Sequence, residues 1–290
     1  MNRDQFSMDL KARARTWTSL PGAVSALAAA ALLVAGCSSP DTPRAATVPS
    51  GAATAPRVAL SPALDHVHGM SVDSAGTILA GTHSGLVAVA PSGATTEVGT
   101  SDDDLMGLAG VSGSDVLVAS GHPGPSNPGP NPLGLRRSDD GGRTWTDRSL
   151  LGEVDFHALA TDGTVVVGFD GTRGIRVSTD AGATWSAGAT VAAAALALTP
   201  GAVWAITPAG LERSTDLART FTPVEDAPAL VLLAGTGDGL WGIDADGYAW
   251  RSRDGAAWEQ RAFVGQVEAL TATGFDTAYA ATAEVLYTLN

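Results

Sequence analysis

The sequence predicts an all-β protein, specifically a β-propeller of about six four-stranded blades. The first observation is a repeat whose successive copies begin 40, 36 and 38 residues apart. The second is that short apolar segments of strand length fill the intervals between copies. A period near 40 residues with strand-like flanks is typical of propellers, because each period supplies one antiparallel blade. The four copies are Ser138–Trp145, Ser178–Trp185, Ser214–Phe221 and Ser252–Trp258.

Three apolar segments precede each copy, so the repeat is expected in the connection between the third and fourth strands of a blade. Extending this register places a first blade at 66–98, a second at 104–147 and the start of a sixth near Val267. The sixth has no C-terminal fourth strand, and Ala55–Leu60 is expected to supply it and close the ring, which would leave no free edge. Ala192–Leu198 favours helix by propensity, and only the repeat register predicts a strand there.

The N-terminal 36 residues have the pattern of a signal peptide, with basic residues before an apolar stretch from about Leu20 to Ala35. The small residues directly before Cys37 resemble the lipobox of bacterial lipoproteins, which predicts cleavage of residues 1–36 and acylation of Cys37. Residues 37–60 are rich in small and polar residues and are expected to form a flexible tether to a propeller at 61–290. The protein is therefore expected to be extracytoplasmic and lipid-anchored to the cell membrane. The alternatives are an ordinary secretory signal with an incidental cysteine, or a transmembrane anchor.

Composition limits the partners. Seventeen basic residues against 30 acidic ones give a formal net charge of −13, which disfavours nucleic acid and anionic lipid headgroups and favours cations. Cys37 is the single cysteine, so an internal disulfide is excluded. No Gly-x-Ser-x-Gly or His-Glu-x-x-His motif occurs.

The repeat pattern Ser-x-Asp-x-Gly-x-Thr-Trp resembles the Asp-box, or bacterial neuraminidase repeat, of sialidase-like propellers. Serine and aspartate suit a hydrogen-bonded tight hairpin, glycine supplies a positive φ, and tryptophan packs between sheets, so the motif is a structural one. The resemblance implies a propeller. Sialidase activity is not predicted, because the arginines mostly flank the repeats and the tyrosines fall in second or third strands of late blades. Those tyrosines are Tyr248, Tyr279 and Tyr287.

All five histidines fall within the first three predicted blades, at starts of innermost strands or ends of second strands. In an antiparallel blade these positions are adjacent, so the imidazoles are expected to gather at one face near the axis, opposite the repeats. When the innermost strands are aligned, the thioether of Met106 and the carboxylate of Glu268 fall at the same position as His68 and His157. Imidazole, thioether and carboxylate together suit copper or zinc. The predicted metal-binding set is His66, His68, His83, His122, His157, Met106 and Glu268. The alternative is that these histidines are structural, and Asp102 and Asp103 are expected in a solvated turn.

The segments His66–Gly69, Thr82–Leu86 and Asp155–Leu159, with others between 65 and 160, are similar to a group of bacterial lipoproteins labelled glycosylhydrolase-like. Two functions follow as expectations. The first is a surface-tethered binding module that holds a metal, carbohydrate or protein ligand. The second is a carboxylate-based, non-sialidase glycoside hydrolase, in which the candidate catalytic residues are Asp104, Asp155 and Glu268. The sequence leaves open whether the protein is an enzyme.

Overall fold

The computed structural model describes residues 53–290. Over this range the chain forms 24 β-strands and no helix, arranged as six separate four-stranded antiparallel sheets. The predicted signal peptide 1–36, the acylation of Cys37 and most of the predicted tether lie outside the described residues.

Each of the first three blades runs from the innermost to the outermost strand in chain order. Their strands are β2 (Val67–Val72), β3 (Ile78–Thr82), β4 (Gly85–Val89) and β5 (Thr95–Val98); β6 (Asp104–Gly110), β7 (Leu117–His122), β8 (Leu135–Ser138) and β9 (Thr146–Ser149); and β10 (Ala158–Thr161), β11 (Val166–Phe169), β12 (Ile175–Ser178) and β13 (Ser186–Ala187). The first two blades lie where the repeat register predicts them.

The last three blades complete the set. Their strands are β14 (Ala195–Thr199), β15 (Ala202–Thr207), β16 (Gly210–Ser214) and β17 (Thr222–Pro223); β18 (Leu230–Gly235), β19 (Leu240–Asp244), β20 (Tyr248–Ser252) and β21 (Glu259–Phe263); and β22 (Ala269–Gly274), β23 (Thr277–Ala281) and β24 (Val285–Leu289), with β1 (Arg57–Ala59) as the outermost strand of blade 6. The alanine-rich β14 is a strand, because its pairing with β15 outweighs the intrinsic helix preference of alanine.

The six blades close into a ring, which confirms the predicted propeller. Innermost strands contact one another in cyclic order, with β22 of blade 6 against β2 of blade 1. The N-terminal strand β1 pairs with β24, and Arg57, Val58 and Ala59 lie opposite Tyr287, Leu286 and Val285. This strand falls within the range assigned to the tether, so the folded domain extends further towards the N-terminus than residue 61. The reason is that the edge of blade 6 needs a partner.

The hydrophobic core is divided into six clusters, one at each interface between consecutive blades. Trp204 and Trp241 are the largest fully buried side chains. Trp145 packs against the cluster between blades 1 and 2, and Trp185 against the cluster between blades 2 and 3. The tryptophans of the two complete repeats therefore pack between sheets, as the sequence predicts.

The Ser-x-Asp repeats occupy the connections between third and fourth strands, as predicted. In the first copy the Ser138 hydroxyl donates to Asp140 Oδ1 (2.8 Å) and accepts from the Gly142 amide (2.8 Å), while Asp140 also accepts from the Thr144 amide (2.9 Å) and hydroxyl. Gly142 has φ 83°, and a Cβ there would lie 2.0 Å from Leu86 in blade 1. The turn therefore requires glycine for both backbone conformation and blade packing.

Candidate metal site

Three potential ligand atoms meet where blades 1 and 2 adjoin. His68 lies on β2, His83 directly follows β3, and Asp104 begins β6. His83 Nδ1 lies 3.0 Å from Asp104 Oδ1 and 3.2 Å from His68 Nε2, and His68 Nε2 lies 3.6 Å from Asp104 Oδ1. The His68 side chain is only 4% exposed, whereas that of His83 is 48% exposed. The group therefore has a buried inner side and a side that solvent reaches.

Local irregularities of the strands place these side chains. The β2–β3 register shifts between Val67 and Gly69, so His68 lies in a bulge, and the β6–β7 register shifts between Asp104 and Gly107. A bulge turns a strand locally and redirects its side chains. His83 lies in the tight turn between β3 and β4, where the Thr82 hydroxyl donates to the Gly85 carbonyl (3.0 Å). Each candidate ligand thus comes from a constrained backbone position.

Hydrogen bonds account for two of the three edges of this triangle. A proton on His83 Nδ1 can be donated to Asp104 Oδ1 (3.0 Å), and the same nitrogen faces His68 Nε2 at 3.2 Å. The third separation, 3.6 Å between His68 Nε2 and Asp104 Oδ1, is too long for a hydrogen bond. A cation at the centre would contact all three atoms.

The dimensions of the triangle suit a metal ion. Zinc–nitrogen and zinc–oxygen bonds of about 2.0–2.2 Å at tetrahedral angles put neighbouring ligand atoms about 3.3–3.6 Å apart. Of the three separations, 3.6 Å lies in this range, and 3.0 and 3.2 Å are slightly shorter. The group therefore needs only small side-chain adjustments to close around a tetrahedrally coordinated ion.

Two carboxylates outside the triangle orient its surroundings. Glu268, predicted as a ligand, lies with Oε2 3.2 Å from His66 Nδ1 and accepts a hydrogen bond from the Val67 amide (2.8 Å). Asp65 accepts from the His66 amide (2.7 Å) and from the Ser84 hydroxyl (2.7 Å), which ties the segment before β2 to the turn that carries His83. Burial opposes ionisation of Asp65, but these hydrogen bonds outweigh it and lower the pKa of its carboxyl. Asp65 is not among the residues predicted from the sequence.

The other two histidines form a separate group around Asp155. His157 Nε2 lies 2.9 Å and His122 Nε2 3.4 Å from Asp155 Oδ2, and His122 Nδ1 lies 2.7 Å from Asn131 Oδ1. Over residues 53–290, the three-residue group with ligand atoms mutually within 4.8 Å is His68, His83 and Asp104. The structure thus divides the predicted five-histidine set into two groups.

Both groups border the axis of the propeller. His68 and His157 line an axial cavity of about 120 Å³, whose walls are mostly alanine and leucine side chains of the innermost strands. Met106 is buried in the irregular start of β6 and is not among the residues that line this cavity. The candidate metal site therefore lies beside the axial cavity, in the adjoining part of blades 1 and 2.

The prediction of a solvated turn is wrong for Asp103, which is 1% exposed. Its carboxylate accepts from the Gly124 amide (2.9 Å) and the Asn127 side chain (2.8 Å), and it pairs with Arg136. Burial opposes ionisation, but hydrogen bonds from Ser101, Gly124 and Asn127 and the Arg136 charge outweigh it and lower the pKa of Asp103. Asp103 thereby anchors the loop that follows His122. An aspartate run does not reveal such a role, because Gly124, Asn127 and Arg136 are 21 to 33 residues away.

Solved structures share this fold at low sequence identity. Streptogramin B lyase aligns with a TM-score of 0.55 at 15% identity, over 81% of this chain and 96% of that chain. YCF48 bound to D1 peptide aligns with a TM-score of 0.53 at 12% identity, over 81% and 96%. A xyloglucanase of glycoside hydrolase family 74 from Xanthomonas campestris aligns with a TM-score of 0.51 at 18% identity, over 78% of this chain and 43% of the enzyme. No protein-family model and no curated protein sequence matches the chain.

These similarities establish the class of protein: the chain is a six-bladed β-propeller. They do not transfer an activity, because identities of 12–18% reflect the fold alone. Among the described residues, no helix is long and apolar enough to cross a membrane.

Proposed function

We propose that this protein is an exported, surface-tethered binding propeller that holds a copper or zinc ion. The observation that carries the proposal is the convergence of His68 Nε2, His83 Nδ1 and Asp104 Oδ1, whose separations of 3.0–3.6 Å are close to the edges of a tetrahedral coordination sphere. Two imidazoles and one carboxylate favour zinc or copper(II), whereas calcium and magnesium prefer all-oxygen ligand sets.

The charge of the chain supports a cation as ligand. The formal net charge is −13, so the field of the protein attracts cations to its surface. The site is reached from solvent through His83, which is about half exposed, so an ion can enter without unfolding of a blade. Solved structures that share this fold at low sequence identity include both a peptide-bound protein and a xyloglucanase. The fold alone therefore does not identify the ligand, and the proposal depends on the site.

Tethering rests on the N-terminal sequence. The small residues before Cys37 predict lipid attachment, and the residues between Cys37 and β1 would link the anchor to blade 6. Replacing Cys37 by Ala should therefore release the protein from the membrane fraction. Retention of the variant in membranes with an uncleaved N-terminus would show that the apolar segment itself is the anchor.

Calorimetric titration with Cu²⁺ and Zn²⁺ tests metal binding directly. We expect one ion per chain with a Kd below about 10 μM, equivalent to about −7 kcal/mol. Binding should weaken between about pH 7.5 and about pH 5.5, because protons compete with the ion for imidazole nitrogens. The chain must be purified without a histidine tag. Absence of binding tighter than this limit for both ions would refute the proposal.

The glycoside hydrolase alternative is less well supported by the geometry. Asp104, Asp155 and Glu268 each lie within 3.2 Å of an imidazole nitrogen. Carboxylate-based glycosidases instead need two carboxyl groups that face a sugar across about 5–10 Å, one of them able to donate a proton. Turnover of chromogenic glycosides by the metal-free protein, lost in Asp155→Asn, would favour the enzyme over the binding module.

A further inference from the structure

A third imidazole lies beside the proposed metal site but outside its triangle. The His66 ring centroid is 4.7 Å from that of His68, in an edge-on arrangement, and 5.6 Å from that of His83, with the two ring planes at 27°. The His66 side chain is 38% exposed and precedes β2, so its ring can rotate without disturbing a strand. His66 is not among the residues whose ligand atoms lie within 4.8 Å of one another, so it would join them by a side-chain adjustment when an ion binds.

Glu268 favours the tautomer of His66 in which Nε2 is free to bind a metal ion. A carboxylate oxygen 3.2 Å from Nδ1 favours a proton on that nitrogen, which leaves the lone pair on Nε2. Histidines that ligate metals usually donate their second ring N–H to a carboxylate or carbonyl, which fixes tautomer and orientation. Glu268 comes from blade 6 and is itself held by the Val67 amide (2.8 Å). The His66–Glu268 pair thus has the arrangement of a ligand and its outer-shell carboxylate.

We propose that His66 Nε2 is the fourth ligand of the ion held by His68, His83 and Asp104, with Glu268 as its positioning residue. This inference rests on the proposed metal-binding function. Four protein ligands close the coordination sphere and leave no position for a reacting water, unlike catalytic zinc sites, which keep one open. The site therefore stores or passes on an ion rather than activating water.

The same arrangement links the metal to closure of the ring. His66 and His68 belong to blade 1, Asp104 to blade 2, and Glu268 to blade 6. Asp65 holds the His66 amide at 2.7 Å and the Ser84 hydroxyl at 2.7 Å, so the two segments that supply His66 and His83 move together. The ligands and the carboxylate that orients His66 thus come from three consecutive blades, and the exposed His66 and His83 form the side through which an ion enters and leaves.

Electron paramagnetic resonance of the full chain loaded with one equivalent of Cu²⁺ tests this coordination. We expect hyperfine structure from three nitrogen ligands in the unsubstituted protein and from two in His66→Ala, with at least about tenfold weaker binding. Glu268→Gln keeps an acceptor for the Val67 amide, and should retain three nitrogens while weakening binding about tenfold. His122→Ala, in the other imidazole group, is the matched control and should retain both the signal and the affinity.

The outcomes separate the two proposals. An unchanged nitrogen count and affinity in a His66→Ala protein with a normal melting temperature would overturn His66 as a ligand and leave the three-residue site in place. Two nitrogens in the unsubstituted protein would do the same. Failure of the unsubstituted protein to bind Cu²⁺ or Zn²⁺ would overturn both the site and its fourth ligand.

Discussion

The two imidazole groups are built from the same residue types at neighbouring positions, yet their geometry differs. In the first, His68, His83 and Asp104 form a closed triangle of potential ligand atoms 3.0–3.6 Å apart. In the second, His122 and His157 approach one oxygen of Asp155, at 3.4 and 2.9 Å. A closed triangle suits a cation at its centre, whereas two imidazoles on one carboxylate oxygen suit hydrogen bonding. The composition of a cluster therefore does not decide its chemistry.

The two groups also differ in how their polar atoms are paired, although exposure does not separate them, since the side chains of His83 and His122 are 48% and 43% exposed. Asp155 Oδ1 and His157 Nδ1 are buried and make no hydrogen bond within residues 53–290. In the first group, Glu268 and Asp65 fix the neighbouring segment through hydrogen bonds. Outer-shell contacts of this kind orient ligands and raise metal affinity. The first group thus combines a closed triangle of potential ligand atoms with carboxylates that orient the neighbouring segment, whereas the second group lacks the closed triangle.

The largest expected effect separates the two groups by single substitutions. His68→Ala should weaken Cu²⁺ or Zn²⁺ binding by about 100-fold or more, because it removes the most buried ligand. His157→Ala should change the affinity by less than about threefold, since mutations without shared partners act independently. Calorimetric titration of both variants measures the difference. Equal losses would mean that both groups bind one ion.

A substitution on the opposite face should affect stability but leave metal binding unchanged. Trp185 packs with its ring 4.9 Å from that of Phe156, and its Nε1 donates to the Ser149 hydroxyl (2.8 Å). Because Trp185 is partly buried, Trp185→Ala should cost about 3 kcal/mol, the lower end of the range for deleting a core aromatic side chain. Thermal unfolding gives the stability and titration gives the affinity. An unchanged melting temperature would show that Trp185 does not hold blades 2 and 3 together.

The smallest expected effect concerns acid. Hydrogen bonds from the Thr144 hydroxyl and amide lower the pKa of Asp140 to about 2. Thr184 and Thr220 similarly lower the pKa of Asp180 and Asp216. Unfolded aspartate has a pKa near 3.9, so these turns stabilise the folded state above about pH 4 and lose that contribution as the pH falls towards about 2.

Urea unfolding of the parent and of Asp140→Asn between about pH 5 and about pH 3 measures this contribution. The variant should be less stable at the higher pH and lose less stability on acidification, because its amide does not titrate. Matching pH profiles for the two proteins would contradict the assignment. Metal binding at pH 7.5 should be the same in both, since Asp140 lies in the connection between β8 and β9, away from the imidazoles.

Much of the fold was predictable because the repeat reports local structure at regular intervals. The blade limits, the closing strand and the strand at β14 follow from that register, and pairing with neighbours enforces it. Asp103 was mispredicted because its burial depends on Gly124, Asn127 and Arg136, which a local reading of the aspartate run does not include. The role of Asp65 was missed for the same reason, since Ser84 lies across a hairpin.

The sequence by itself determined that the chain forms a propeller and that its histidines lie at related positions of the first three blades. The repeated glycines, serines and apolar segments determine local backbone structure over a few residues. Their effect can therefore be predicted from the sequence without knowledge of the fold. Only the tertiary structure decided how the histidines are grouped, because register shifts at His68 and after Asp104 redirect side chains. Ligand geometry depends on these local irregularities, and strand periodicity does not predict them.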